Sequence, residues 1–207
     1  MREQVLTWLA ANVPATRIDH ILRVERMAVE LADSHNIDRE KAASAALMHD
    51  LAKYFSPKRL LQMAKADGLE VDEVLATNPH LLHADVGAIV ARKNFSINDK
   101  EILQAIANHT LGRPGMSQLC CIVFLADSLE PARGETKELD LLRKISYSNL
   151  ERAMWLTCDK RSLTLKAYRT VQYLLERRCT IHPRVITTRN WFLTQSKLKQ
   201  SITGSSA

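Results

Sequence analysis

The sequence predicts an all-α protein. Three observations carry that reading. Apolar residues recur at three-and-four spacing along most of the chain, alternating strand patterns are absent, and Gly and Pro, six each in 207 residues, are too few for a loop-rich β-sandwich. Hydrophobic residues at 46% and charged residues at 25% describe an ordinary folded chain rather than a disordered one. The length admits one domain or a compact pair. With no internal repeat, a single domain over 1–198 is expected, followed by a disordered tail at 199–207.

The elements follow in order. Over 17–34, Ile18, Ile21, Leu22, Met27, Ala28, Leu31 and Ala32 form one helical stripe. Residues 38–52 open at Asp38 and are rich in strong helix formers. Pro57 starts a helix over 57–67 that Asp67-Gly68 ends. Asn78-Pro79 breaks the chain before a helix at about 82–93, and another spans 98–110. After the loop LGRPGMS, Ser117 caps a helix over 118–130. Pro131 and Gly134 interrupt again. Helices follow at 137–145, 147–157 and 160–178, and the His182-Pro183 turn precedes a last one near 184–198. The architecture expected is a helical bundle of about nine helices.

Composition excludes several functions. The longest apolar run, Leu119 to Ala126, has eight residues, where a membrane span needs about 20. The opening MREQVLTWLAANVP lacks the long apolar stretch of a secretory leader. Cys120, Cys121, Cys158 and Cys179 contain no C-x-x-C spacing, so reduced, buried thiols in a cytoplasmic protein are expected. The net charge of +6 is uneven: residues 1–140 carry 16 Lys/Arg against 20 Asp/Glu, and residues 141–207 carry 13 against 3. The basic third is either a solvated surface or a face for phosphates.

Six polar residues stand where apolar ones belong. His20 is in line with Val24, Met27 and Leu31. His49 follows Ala42, Ala45 and Ala46, and Asp50 follows Ala43, Ala46 and Leu47. His83 precedes Val86, Gly87 and Val90, His109 follows Ile102, Ala105 and Ile106, and Asp127 follows Cys120, Val123 and Phe124. One core histidine is ordinarily just hydrogen-bonded. An isolated buried carboxylate costs several kcal/mol unless it finds a partner. Six such residues together favour a metal ion, which satisfies imidazole and carboxylate at once.

The pattern His20, His49-Asp50, Asp127 resembles the HD superfamily of metal-dependent phosphohydrolases. The surrounding stretches are more specific. RIDHILRV at 17–24, ALMHDLAKY at 46–54, HADVGA at 83–88, NHTLGRPGMS at 108–117, FLADSLEPAR at 124–133 and IHPRVITTRNW at 181–191 resemble the YqeK family over roughly residues 1–195. That resemblance implies symmetrical hydrolysis of diadenosine tetraphosphate to two ADP by a metal-activated water. It implies an iron site, Fe(II) or Fe(III), on His20, His49, Asp50 and Asp127. His83 and His109 would complete a second metal site or hold phosphate, and one of them is a candidate proton donor. The all-nitrogen-and-oxygen donor set also suits Mn(II) or another divalent ion, one or two in number.

The resemblance places Lys53 at phosphate. Arg17, Arg113 in its Gly-Arg-Pro-Gly turn and Arg133 are further phosphate candidates. Thr170 and Tyr173 are candidates for a nucleotide pocket. A small or apolar residue is expected at position 85; the chain has Asp85, expected to be solvated or a local cap. His35 and His80 read as surface residues and His182 as structural. The implied partner is a small nucleotide, with no nucleic acid and no membrane, and the resemblance includes a homodimer. The nearest alternative is an HD nucleotidase acting on other nucleotides. From a different class, a basic nucleic-acid-binding module leaves the six buried polar residues unexplained and shows no recognisable motif. A metal-binding sensor that has lost catalysis is a third reading, disfavoured because all the matched ligands are present.

Overall fold

Residues 1–159 and 180–204 are described by the computed structural model, and every regular element among them is helical. The α-helices are α1 (Arg2–Asn12), α2 (Ala15–Ser34), α3 (Arg39–Met48), α4 (Pro57–Ala66), α5 (Glu73–Thr77), α6 (His83–Phe95), α7 (Lys100–Asn108), α8 (Gln118–Leu129), α9 (Lys137–Ser146), α10 (Leu150–Asp159) and α11 (Pro183–Gly204). Two 3-10 turns, Pro79–Leu82 and Pro131–Arg133, precede α6 and follow α8. No helix among the described residues is long and apolar enough to cross a membrane.

The longest apolar run of the sequence becomes the axis of the fold. α8 is buried from Leu119 through Asp127 and again at Leu129, because α2, α3, α7, α9 and α10 all pack on it. A helix apolar on every side needs such a surround. α2 lies along α3, α6 along α7, and α10 against α11. One hydrophobic core runs from Val5 on α1 to Phe192 on α11. Asp38, Ser56, Asp72, Asp99, Ser117 and Thr136 each accept a backbone N–H at a helix start, which satisfies donors that the first turn leaves open.

Several boundaries differ from expectation. α3 stops at Met48, and 49–54 form turns rather than a helix to 52. The Ala46 carbonyl, which an uninterrupted helix would give to the Asp50 N–H, accepts instead from His49 Nδ1 at 2.6 Å. α10 starts at Leu150 rather than 147, because Asn149 Oδ1 accepts from the Arg152 N–H and caps it there. α11 continues to Gly204, into the stretch expected as a tail. The helix expected at 160–178 lies outside the described residues. α1 and the five-residue α5 were not anticipated. α1 buries Val5 and Leu9 and sets Trp8 against Phe55 and Phe95.

Two glycines allow close approaches. A Cβ on Gly87 of α6 would stand 3.3 Å from the His49 carbonyl oxygen. Gly112 has φ +64°, and a Cβ there would meet Thr188 Cγ2 at 2.6 Å. It lets the loop after α7 seat against α11. Gly112→Ala therefore combines left-handed strain with a clash. It should lower stability by about 2 kcal/mol, read as a reduced urea midpoint at unchanged m-value.

Candidate metal centre

Three of the histidines occupy the same kind of position. His49 follows the end of α3, His109 follows the end of α7, and His83 follows the 3-10 turn Pro79–Leu82. At such an end the carbonyl three residues back accepts the histidine's own N–H and has room for a second donor. His49 Nδ1 donates to Ala46 O at 2.6 Å, His83 Nδ1 to His80 O at 2.6 Å and His109 Nδ1 to Ile106 O at 2.7 Å. A carbonyl oxygen only accepts, so each Nδ1 carries a proton, and in the neutral ring the lone pair is then on Nε2. His20, from the middle of α2, has its Nδ1 on a carboxylate instead, Glu130 Oε1 at 3.1 Å.

The rings follow one another in contact. Centroids of His20 and His49 are 5.5 Å apart, those of His49 and His109 4.9 Å, and those of His109 and His83 5.1 Å. Asp50 lies along them. Its Oδ2 is 3.3 Å from His49 Nε2, and its Oδ1 is 3.4 Å from His83 Nε2 and 3.6 Å from His109 Nε2. Asp127 Oδ1, from α8, is 3.1 Å from His20 Nε2 and 3.9 Å from His49 Nε2. All six side chains are buried.

Two of these nitrogens stand outside any hydrogen bond. His20 Nε2 and His49 Nε2 are buried and make no hydrogen bond, although carboxylate oxygens lie 3.1 and 3.3 Å away. The oxygens sit off the line on which those nitrogens would bond. Nitrogens and oxygens thus converge on common points between them. Three triplets have ligand atoms all within 4.8 Å of one another: His20, His49 and Asp50; His49, His109 and Asp127; and Asp50, His83 and His109. Neutral imidazoles and carboxylates aimed at one space fit a divalent metal ion.

Burial pushes the His20 pKa down to about 4, with His49 and Arg133 adding to the effect against the pull of Glu130. Burial likewise lowers His83 and, more strongly, His109. Asp50 is raised by burial, but His49, His109 and His83 outweigh that and hold it well below the usual carboxylate range. Each imidazole so shifted is neutral and Asp50 ionised at neutral pH, the protonation states a metal requires.

Cations close the rim. Arg17 Nη1 donates to Asp50 Oδ2 at 3.2 Å, and Arg133 Nη2 to Asp127 Oδ1 at 2.6 Å. Lys53 Nζ is 3.3 Å from His83 Nε2. The fold therefore brings His20, His49, Asp50, His83, His109, Asp127, Arg17, Lys53 and Arg133 together. It does not bring Arg113 in: that side chain is exposed and bonds Gln104 Oε1 at 3.0 Å. Thr170 and Tyr173 lie outside the described residues. Asp85 is neither solvated nor a cap but pairs with Arg184 Nη1 at 3.2 Å. His35 is half-buried on the Ser146 carbonyl at 2.7 Å rather than free at the surface.

Three residues were missed. Glu130 is buried, accepts from His20 Nδ1, from Arg23 Nε at 2.7 Å and from the Ala132 N–H at 2.8 Å. Burial raises its pKa, but those bonds prevail and hold it at about 2. It orients His20 by taking the proton on the nitrogen away from the site. Its position three residues after Asp127 was the available signal. Arg23 was legible only through Glu130. The third, Thr110, places its hydroxyl 3.1 Å from both His83 Nε2 and His109 Nε2.

An HD-domain family model matches residues 17–132. The chain belongs to the HD-domain family. It is 32% identical over 195 residues to the symmetrical bis(5'-nucleosyl)-tetraphosphatase of Bacillus subtilis, covering 94% of this chain and 99% of that one. The protein of the same description from Staphylococcus aureus is 30% identical over 181 residues, covering 87% and 89% of the two chains. Among solved structures, a predicted HD superfamily hydrolase involved in NAD metabolism from Clostridium acetobutylicum superposes with a TM-score of 0.86 at 33% identity, covering 94% of this chain and 98% of that one. Within this HD domain, His49-Asp50 is the dipeptide for which the family is named, and the full-length matches place the chain in the YqeK group.

Two predictions follow from the buried groups. On acidification the unfolded chain binds protons on its histidines near pH 6.5, before the folded chain does so near pH 4 at His20. Stability of the metal-free protein should therefore fall as pH drops through that window, and fall further below it as Asp50 and Glu130 protonate. Thermal unfolding in chelator across the pH series reads this. Glu130→Gln should weaken metal binding by about 10- to 100-fold, measured by competition with a chelator of known affinity.

Proposed function

We propose that the chain is a symmetrical diadenosine tetraphosphate hydrolase that uses a divalent metal ion. The observation that carries this is the convergence of the Nε2 atoms of His49, His83 and His109 on the two oxygens of buried Asp50, with His20 Nε2 beside them on Asp127. His20, His49, Asp50 and Asp127 are the residues proposed to hold the first cation. Of the two roles open to His83 and His109, cation and phosphate, lone pairs at both Nε2 atoms favour a second cation facing Asp50 Oδ1. A ground-state lone pair also disfavours either as the resting proton donor. Iron is the ion proposed, with Mn(II) the alternative; the nitrogen-and-oxygen donor set supports both.

Charge balance favours a polyphosphate. Asp50, Asp127 and Glu130 are each paired with an arginine, Arg17, Arg133 and Arg23 respectively. The imidazoles add no charge when neutral. Cationic charge brought into this cluster is left to be met by substrate. A divalent cation held there supplies Lewis acidity toward phosphoryl oxygens and lowers the pKa of water in its shell. Arg17, Arg133 and Lys53, at the rim, draw the nonbridging oxygens of the tetraphosphate in and orient its central bridge. Symmetrical hydrolysis forms a bond from water oxygen to one inner phosphorus and breaks the bond from that phosphorus to the central bridging oxygen. The bridging oxygen leaves with the second ADP. Lys53 is placed to offset charge on that oxygen.

A second reading, an HD nucleotidase acting on other nucleotides, shares the cluster and differs in the base pocket. The buried free thiols Cys120 and Cys121 support a reducing compartment, the cytoplasm. Chromatography of the products separates the readings. ADP alone from the tetraphosphate is expected; ATP with AMP rejects symmetrical cleavage. Asp50→Ala should lose bound metal and at least about 100-fold in turnover together, and full activity in that variant would sink the mechanism.

A further inference from the structure

Arg184, in the first turn of α11, directs its guanidinium to three acceptors on two segments, the start of α6 and the end of α7 with its loop. Nε donates to Gly112 O at 3.2 Å, Nη1 to Asp85 Oδ2 at 3.2 Å and Nη2 to Asn108 Oδ1 at 3.3 Å. Asp85 stands two residues after His83 in the first turn of α6, and Asn108 immediately precedes His109 at the end of α7. The Asn108 amide donates to Gln104 O at 2.8 Å, which turns its oxygen toward Arg184.

The geometry has a consequence for the two imidazoles. Each Nδ1 bond ties its ring to its own chain segment, through His80 O for His83 and Ile106 O for His109. Neither bond sets the distance between the segments. To the packing of α6 along α7 and the Thr110 hydroxyl that meets both Nε2 atoms, Arg184 adds a direct link, because one planar fork spans an acceptor beside each histidine. The Arg184 backbone supports the arrangement: its N–H donates to His182 Nδ1 at 3.1 Å, and its carbonyl accepts from Thr188 Oγ1 at 2.6 Å.

We propose that Arg184 is a positioning residue for the His83–His109 half of the site. By linking Asp85 to Asn108 from α11, it holds the two Nε2 atoms at the separation that lets a second cation bind between them and Asp50. This rests on the two-cation reading above, and it gives α11, remote in sequence from every ligand, a role in metal loading rather than in packing alone.

The test uses the full chain stripped with chelator and titrated with Mn(II), with free ion followed by electron paramagnetic resonance. The wild type should take up two ions. Arg184→Met should weaken the second by about 10- to 100-fold and leave the first within a few-fold. Arg184→Lys keeps the charge but not the three-way fork and should show the same selective loss, and it serves where Arg184→Met does not fold. In His83→Ala, which already lacks the second position, adding Arg184→Met should change Mn(II) binding no further. A merely structural arginine would weaken both ions together or neither, and either result overturns the proposal, as does an additional loss in the double variant. A wild type that binds one ion, with affinity unaffected by His83→Ala, overturns the two-cation reading itself and this inference with it.

Discussion

The site depends on where an imidazole proton sits. After α3, after the 3-10 turn Pro79–Leu82 and after α7, the histidine one position beyond donates from Nδ1 to the carbonyl three residues back. That one bond fixes the ring against its own segment and turns Nε2 to the interior. Glu130 achieves the same for His20, whose place in mid-helix offers no free carbonyl. Four rings thus present the same nitrogen to the same space, three through local bonds and His20 through a bond to the distant Glu130.

Burying three carboxylates there would be prohibitive without compensation. Each has an arginine, and the arginines come from outside the carboxylate's own helix or from beyond its end: Arg17 and Arg23 from α2, Arg133 from the turn after α8. The arrangement neutralises the ligands without filling the space between them. It also keeps cations at the rim, where a polyphosphate meets them. The basic surplus of residues 141–207 is a separate matter, since every ligand candidate falls at or before Asp127.

The scaffold places these groups by close approaches between helices. α8 carries Asp127 into the centre because it is surrounded on all sides. Gly87 lets α6 come against the His49 carbonyl, and Gly112 lets the loop after α7 come against Thr188. The second contact leads to Arg184 and so couples α11 to the two histidine-bearing segments. Small residues here are matters of spacing between ligands as much as of packing.

Much of this was legible in residue types and spacing. Helical periodicity marked the long elements, because each buries one face. Acids and imidazoles on those faces marked His20, His49, Asp50, His83, His109 and Asp127, because an ionisable group on an apolar stripe needs a partner. Short or weakly patterned elements were not legible: α5 has five residues, and α1 was weighed only as a leader. Glu130 and Thr110 were hidden in plain motifs, and Arg113, Asp85 and His35 read differently from their actual partners. What separates the two groups is range. Periodicity and local chemistry report a residue's own helix and which side of it is buried. Which arginine meets which carboxylate, that Arg184 joins Asp85 to Asn108, and that Arg113 turns away to Gln104 depend on how helices distant in sequence pack. That packing is set by the summed fit of the whole core, and no single segment encodes it.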